Sequence, residues 1–581
     1  MAGAFSTGVE QDYEQGYRLG LEEGSLLEFV ATIEYEDLRV AIKDTSTPAT
    51  ITGTMIAPAL SPRRLTVTGG RFVLLQPDPD HVETSNMRYR MELLDEWGNR
   101  FTLEGFKVIQ DRAGFDAWSD TTTLFVTVRD DQGKTLGVGI MRIGVADFLR
   151  LLGTMSILRV PEIWRRAWYE ARFGGTFLWK LFRIYGGPLE EPWRFPKPPT
   201  LPTIDPPELR PPEGANRPVP VGEVRWRDSA GEWHVDRKLG PDAWLRLTRY
   251  HGGNKGPLVM ASGFGMSAFS FATRTVRTNL VEHLVREGYD VWLFDYRDGI
   301  DLPSSPESST IDDIALKDWP TAVAEVVRVT GVDSVQALGH CVGSVSLLMA
   351  MLAGTEPMEK VRAAVCAQFV LFIDTSWFNR LKARLHVGQL LESIGLKLVR
   401  PNVAGRWPDV ALDLALRALP MPRGERCGIA LCRWVNAIYG CTHAHDPLNE
   451  ATHRALPALF GVANLDALKH LALMVRHGKV VDSSGRDVYL PNVARLEPTK
   501  ILILQGERNY IFLPEGSRRT LRFLRKRNGP DRYRREILRG YAHLDAMIGR
   551  DAAADVFPKI TAFLEKYPDR PGLSRAAMRE S

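Results

Sequence analysis

The stretch Gly339-His340-Cys341-Val342-Gly343 constrains this chain more than any other. An extended run, Ser334-Val335-Gln336-Ala337-Leu338, leads into it, and an apolar stretch of helical character, Val345-Ser346-Leu347-Leu348-Met349-Ala350-Met351-Leu352, leaves it. A sharp strand-to-helix turn needs small residues on both sides of the central position, because larger side chains there would strike backbone. The turn lifts the central side chain clear of the sheet. Here that side chain is a thiol where a hydroxyl would be usual. At a helix N-terminus a thiolate and a developing oxyanion are both favoured, so Cys341 is the expected nucleophile.

The rest of the second half repeats strand, loop and helix. Leu245–Tyr250, Pro257–Ala261, Tyr289–Asp295, Val361–Cys366, Lys500–Leu504 and Tyr533–Leu538 read as strands, several of them continuously apolar. Alternation of this kind predicts a doubly wound, mostly parallel sheet. Between about 374 and 485 the sequence is largely helical without clear strands, which predicts an inserted lid.

Three further features complete the pattern. The loop Ser262-Gly263-Phe264-Gly265-Met266 follows an early strand, and the backbone N–H groups of Phe264 and Val342 are the expected oxyanion hole, with Gly265 as the neighbouring alternative. The same loop matches Gly-x-Gly-x-x-Ala. That is a loose dinucleotide signal, and the later elbow favours the oxyanion reading. His543, in Gly540-Tyr541-Ala542-His543-Leu544-Asp545 after the last strand, is the expected general base. Nucleophile, acid position, then histidine is the α/β-hydrolase order. The acid position in Leu504-Gln505-Gly506-Glu507-Arg508-Asn509 holds Asn509, with Glu507 and Asp545 as substitutes. An amide can orient an imidazole but cannot stabilise its cation as a carboxylate does. A thiol needs that help less than a hydroxyl.

Composition bounds the remainder. The 581 residues carry 44% hydrophobic and 25% charged side chains and a formal net charge of +4, an ordinary globular balance with no basic block that would suit nucleic acid. Five cysteines argue against a disulfide framework. Met1-Ala2-Gly3-Ala4-Phe5-Ser6-Thr7 has no basic region followed by an apolar one, so the expected location is cytoplasmic.

Residues 1–25 read as an N-terminal segment. Residues 26–148 read as a β-rich domain: alternating runs flank a hairpin turn at Trp97-Gly98-Asn99, and another turn stands at Asp130-Asp131-Gln132-Gly133. Residues 149–187 form a basic, aromatic-rich helical segment. Its favoured reading is a helix packed on a flanking domain, and peripheral membrane contact through 155–185 is the alternative. Residues 188–221 form a Pro-rich linker, with twelve prolines between 188 and 220. A hydrolase domain follows over 222–567, with a tail over 568–581. Cys427, Cys432, Cys441, His443 and His445 lack the close-paired spacing of familiar zinc sites, so buried thiols rather than metal ligands are expected, and no cofactor is expected.

Residues 222–567 resemble the α/β-hydrolase domain fused to cholesterol-oxidase-like glucose-methanol-choline oxidoreductases. The resemblance rests on Met260–Gly265, Gly339–Gly343, Arg433–His443 and Gly540–Asp545, and Gly53–Pro62 resembles a β segment of the same fusions. No strand followed by Gly-x-Gly-x-x-Gly begins the chain, so flavin chemistry does not carry over. The core is also similar to acid lipases and, in its Cys nucleophile, to polyhydroxyalkanoate synthases. The resemblance implies hydrolysis of a lipid-like, sterol-related ester or thioester. The alternatives are an acyltransferase of the same fold and a non-catalytic lipid-binding module with a degenerate site.

Overall fold

The computed structural model describes residues 1–44, 46–82, 84–110, 123–143, 219–220, 225–227, 233–235, 244–300, 302, 304–305, 307–385, 398–399, 416, 425, 427, 430–461 and 463–568. The aromatic segment 149–187 and most of the Pro-rich stretch lie outside them, as does the tail beyond Pro568. The chain divides into two units, Met1–Pro192 with Pro420–Gly428, and Trp193–Leu419 with Ile429–Ser581.

The first unit is a closed antiparallel barrel of eight strands: β1 (Ala2–Thr7), β2 (Leu26–Glu34), β3 (Pro48–Ile56), β4 (Leu65–Pro77), β5 (Thr84–Leu94), β6 (Arg100–Gln110), β7 (Thr123–Asp130) and β8 (Thr135–Arg142). Period-two patterning builds it. Along β5, Met87, Tyr89, Met91 and Leu93 are buried while Arg88, Arg90 and Glu92 face out. The expected turn after β5 is present, with Asp95 Oδ1 accepting from Trp97 N at 2.9 Å and Asn99 N at 2.8 Å.

The barrel begins earlier than the sequence reading placed it. Residues 2–7 pair with β8 along their whole length and with β2 at their start, and this closure removes both sheet edges. Ala-Gly-Ala-Phe-Ser-Thr carries too little alternation to announce a strand. Close approach identifies it instead, since a Cβ on Gly139 would fall 2.1 Å from Ala4 O. The helix Tyr13–Glu22 lies against the same strands through Gly16 and Gly20, where a Cβ would meet Val138 O at 2.2 Å and Phe5 O at 2.4 Å.

The second unit is built on a mixed eight-stranded sheet: β9 (Val219–Pro220), β10 (Trp244–His251), β11 (Pro257–Ala261), β12 (Asp290–Asp295), β13 (Val335–His340), β14 (Val361–Ala367), β15 (Lys500–Gly506) and β16 (Tyr533–Leu538). Their order is β9-β10-β12-β11-β13-β14-β15-β16. β10 runs antiparallel to β9 and β12, and every later pairing is parallel. This crossover order is the α/β-hydrolase arrangement. Every residue of β11, β12 and β13 is buried, as strands covered on both faces require. Val219 and Pro220, read as linker, form the edge strand. Proline is tolerated there because an edge position asks for fewer ladder bonds.

The expected lid lies between β14 and β15. Its described helices are Trp377–Arg384, Ala430–Tyr439, Glu450–Leu459 and Leu465–His477, and one two-residue pairing, Leu398–Val399 with Ala463–Asn464, interrupts its helical character. No helix of the described residues is long and apolar enough to cross a membrane.

Candidate active site

β13 ends at His340, and the next residue turns the chain sharply. Cys341 has φ 53° and ψ −120°, a conformation a non-glycine residue adopts only under constraint. Cys341 N donates to Ala367 O at 3.0 Å, and the helix Val342–Ala353 starts at once. Both flanking glycines are obligatory by contact. A Cβ on Gly339 would lie 2.5 Å from Gly343 O, and one on Gly343 would lie 2.6 Å from the carbonyl oxygens of both Ala261 and Ser262.

That second contact locks the elbow to the loop after β11, where Gly343 N donates to Ser262 O at 3.1 Å. The loop delivers Phe264 N, the elbow delivers Val342 N, and both amides pull the Cys341 thiol downward. The residue is partly accessible, yet its sulfur is desolvated enough that burial pushes the thiol up to about 12 against the pull of both amides. The resting Cys341 side chain is therefore a protonated thiol, not the thiolate that the helix N-terminus alone suggests. Between pH 7 and 10, its rate of alkylation by iodoacetamide should rise about tenfold per pH unit without levelling. Peptide mass spectrometry of Cys341 reads this out, and a plateau by pH 8.5 would contradict it.

His543 lies buried after β16, with its Nδ1 3.1 Å from Asn509 Nδ2. The direction of that amide matters. Asn509 Oδ1 accepts from Ile511 N at 3.1 Å and Phe512 N at 3.0 Å, while Nδ2 donates to Gln368 Oε1 at 2.9 Å. With the oxygen held by two backbone donors, the nitrogen must face the imidazole. The neutral ring then accepts at Nδ1 and carries its proton on Nε2. A triad carboxylate would enforce the opposite tautomer. No hydrogen bond joins Cys341 to His543 among the described residues. Burial and the adjacent His340 hold His543 well below the usual histidine range, so it too is neutral.

Glu507 and Asp545 do not serve the imidazole. Glu507 accepts from Gly540 N at 3.1 Å on the exposed side. Asp545 is fully buried and accepts from Ala542 N at 2.7 Å and Ala444 N at 3.1 Å, bracing the loop that carries His543.

Four neighbours were not anticipated from sequence. His340 Nε2 donates to His543 O at 2.9 Å, its ring edge-on to His543 with centroids 4.9 Å apart, and burial pushes it down to about 4. Gln368, at φ 73° after β14, joins Asn509 to Gly506 N. Tyr296 donates to Ser262 O at 3.3 Å, in the loop after β11. Tyr439, from the lid, packs edge-on to Phe264 at 6.4 Å and stacks on Phe460 at 6.0 Å, and its buried hydroxyl has no hydrogen-bond partner among the described residues. The position of His340 within the elbow motif was the one available signal. The others lie far along the chain from Cys341 and carry no local pattern.

No protein-family model and no curated protein matches the sequence. Among solved structures, the chain is similar to DcsB in complex with its substrate analogue, at 14% identity and TM-score 0.37 over 59% of this chain and 98% of that one. It is similar to a soluble variant of monoglyceride lipase from Saccharomyces cerevisiae, at 14% identity and TM-score 0.37 over 56% and 92%. A third is the Paleococcus ferrophilus monoacylglycerol lipase, at 13% identity and TM-score 0.36 over 55% and 98%. The strand order and the elbow of this chain carry the fold assignment.

Proposed function

We propose that this chain is an acyl-transfer enzyme of the α/β-hydrolase kind, with Cys341 as nucleophile. The observation that carries the reading is the strained Cys341 elbow, locked by Gly343 N and Ser262 O to the loop after β11, which sets the backbone donors Phe264 N and Val342 N beside one sulfur. Such donors stabilise a tetrahedral oxyanion by a few kcal/mol each, about 3 by analogy with single-donor deletions. Sulfur would attack a carbonyl carbon. After a tautomer change that moves the ring proton to Nδ1, His543 Nε2 would take the thiol proton and hand it to the leaving group, which departs protonated as its bond to the carbonyl carbon breaks and the C–S bond remains. Water or another acceptor then resolves the thioester. Hydrolysis is the default outcome, and transfer to a second nucleophile uses the same intermediate. The aromatic chain of contacts from Phe264 through Tyr439 to Phe460 suits a lipid-like acyl group, and the resemblance to fused hydrolase domains adds sterol-related esters to the candidates.

One observation favours a second reading, a lipid-binding module whose site has lost turnover. Asn509 presents its amide nitrogen to His543, which leaves Nε2 unable to accept the thiol proton without a tautomer change.

Labelling separates the two. Electrophilic β-lactone probes with short and long acyl chains should acylate the native full chain at Cys341, and Cys341→Ala should abolish the adduct. His543→Ala should slow it by about 10²-fold or more. A native chain that takes no label from any chain length would leave only the binding module.

A further inference from the structure

Lid residues that the proposed reaction does not use bring three imidazoles to the thiol of Cys432. Cys432 stands on the helix Ala430–Tyr439, His443 and His445 on the following loop, and His453 on the helix Glu450–Leu459. All four are buried. Cys432 Sγ lies 3.4 Å from His443 Nε2, 3.9 Å from His445 Nε2 and 3.1 Å from His453 Nε2. The ligand atoms of Cys432, His445 and His453 all fall within 4.8 Å of one another. A zinc ion held tetrahedrally by sulfur at about 2.3 Å and nitrogen at about 2.0–2.1 Å separates those atoms by roughly 3.3–3.6 Å. The observed spacings bracket that value.

Hydrogen bonding alone accounts poorly for the cluster. A thiol has one proton and cannot serve three nitrogens. Three imidazoles packed with centroids 5.0, 5.1 and 6.1 Å apart cannot all be charged in a buried site. His443 is also prepared at its far side. Its Nδ1 is 3.0 Å from Thr442 Oγ1, the outer hydrogen bond that fixes a ligating ring with Nε2 bare toward the metal.

We infer that Cys432, His443, His445 and His453 bind a zinc ion that staples the lid loop. The one-thiolate, three-imidazole set carries one negative charge against two positive and leaves no open position, so the site is structural. Its linkage to the active centre is short. Within the stapled loop, Thr442 O accepts from Leu544 N at 2.8 Å, Ala444 N donates to Asp545, and Pro447 O accepts from Arg550 N at 2.7 Å. These bonds grip the segment that carries His543. The sequence spacing argued against zinc because it omitted His453, which the second helix returns to the cluster.

The test uses the full chain from zinc-supplemented culture. Elemental analysis should give about one zinc per chain. Removing it with 1,10-phenanthroline should lower the unfolding temperature, and adding zinc should restore it. Cobalt(II) added to the chelated protein should give the intense visible bands of a tetrahedral thiolate site. Those bands should persist in Cys341→Ser and vanish in Cys432→Ser. The cobalt titration of the native chain needs no variant, so a misfolded Cys432→Ser leaves the test intact. Zinc-free native protein that gives no tetrahedral cobalt spectrum would overturn the inference. So would a spectrum that survives in a folded Cys432→Ser.

Discussion

Asn509→Asp should accelerate reaction at Cys341 by about 10²- to 10⁴-fold, the reverse of what an aspartate-to-asparagine change costs a hydrolytic triad. One carboxylate oxygen would keep the bonds from Ile511 N and Phe512 N. The other would accept from His543 Nδ1, forcing the tautomer with a bare Nε2 toward the thiol. The neighbouring shell can adapt. Gln368 now offers Oε1 to Asn509, while its buried Nε2 has no partner among the described residues, so an amide flip would supply a donor to the new carboxylate, at the expense of the bond from Gly506 N. Acylation rates with a β-lactone probe, measured side by side on the two proteins, read this directly. An unchanged rate would mean that the imidazole does not handle the thiol proton.

Asp318→Ala should cost about 3–5 kcal/mol of stability, because it strands a buried cation. Asp318 has no exposed surface, and it accepts from Arg297 at Nη2 (2.7 Å), Nε (3.0 Å) and the backbone N (3.1 Å). Arg297 is itself buried, with Asp313 3.8 Å away and Asp298 a further carboxylate acting on it. Calorimetry should show the hydrolase unit melting roughly 5–10 °C lower. Arg297→Met combined with Asp318→Leu should recover most of the loss, since removing both charges strands neither. A single variant that melts like the native chain would show that water reaches the guanidinium.

Legibility in the sequence tracked the range of the interactions. The barrel strands from Leu26 onward and the sheet of the second unit repeat locally, so patterning announces them. β1 does not, because its identity depends on Gly137 and Gly139 more than a hundred residues away. The elbow, the oxyanion loop, Asn509 and His543 were readable from their places after successive strands. Gln368 and Tyr439 were not, because nothing local marks a residue that acts by facing another segment.

The sequence alone therefore determined that Cys341, Asn509 and His543 stand just after successive strands, since Gly339 and Gly343 permit one turn and the strand order delivers the rest. Only the tertiary structure decided their chemical states. Burial protonates the Cys341 thiol, and two backbone amides turn the Asn509 nitrogen toward His543. Charge and tautomer are set by what surrounds a group in space, and neighbours in the chain do not record it.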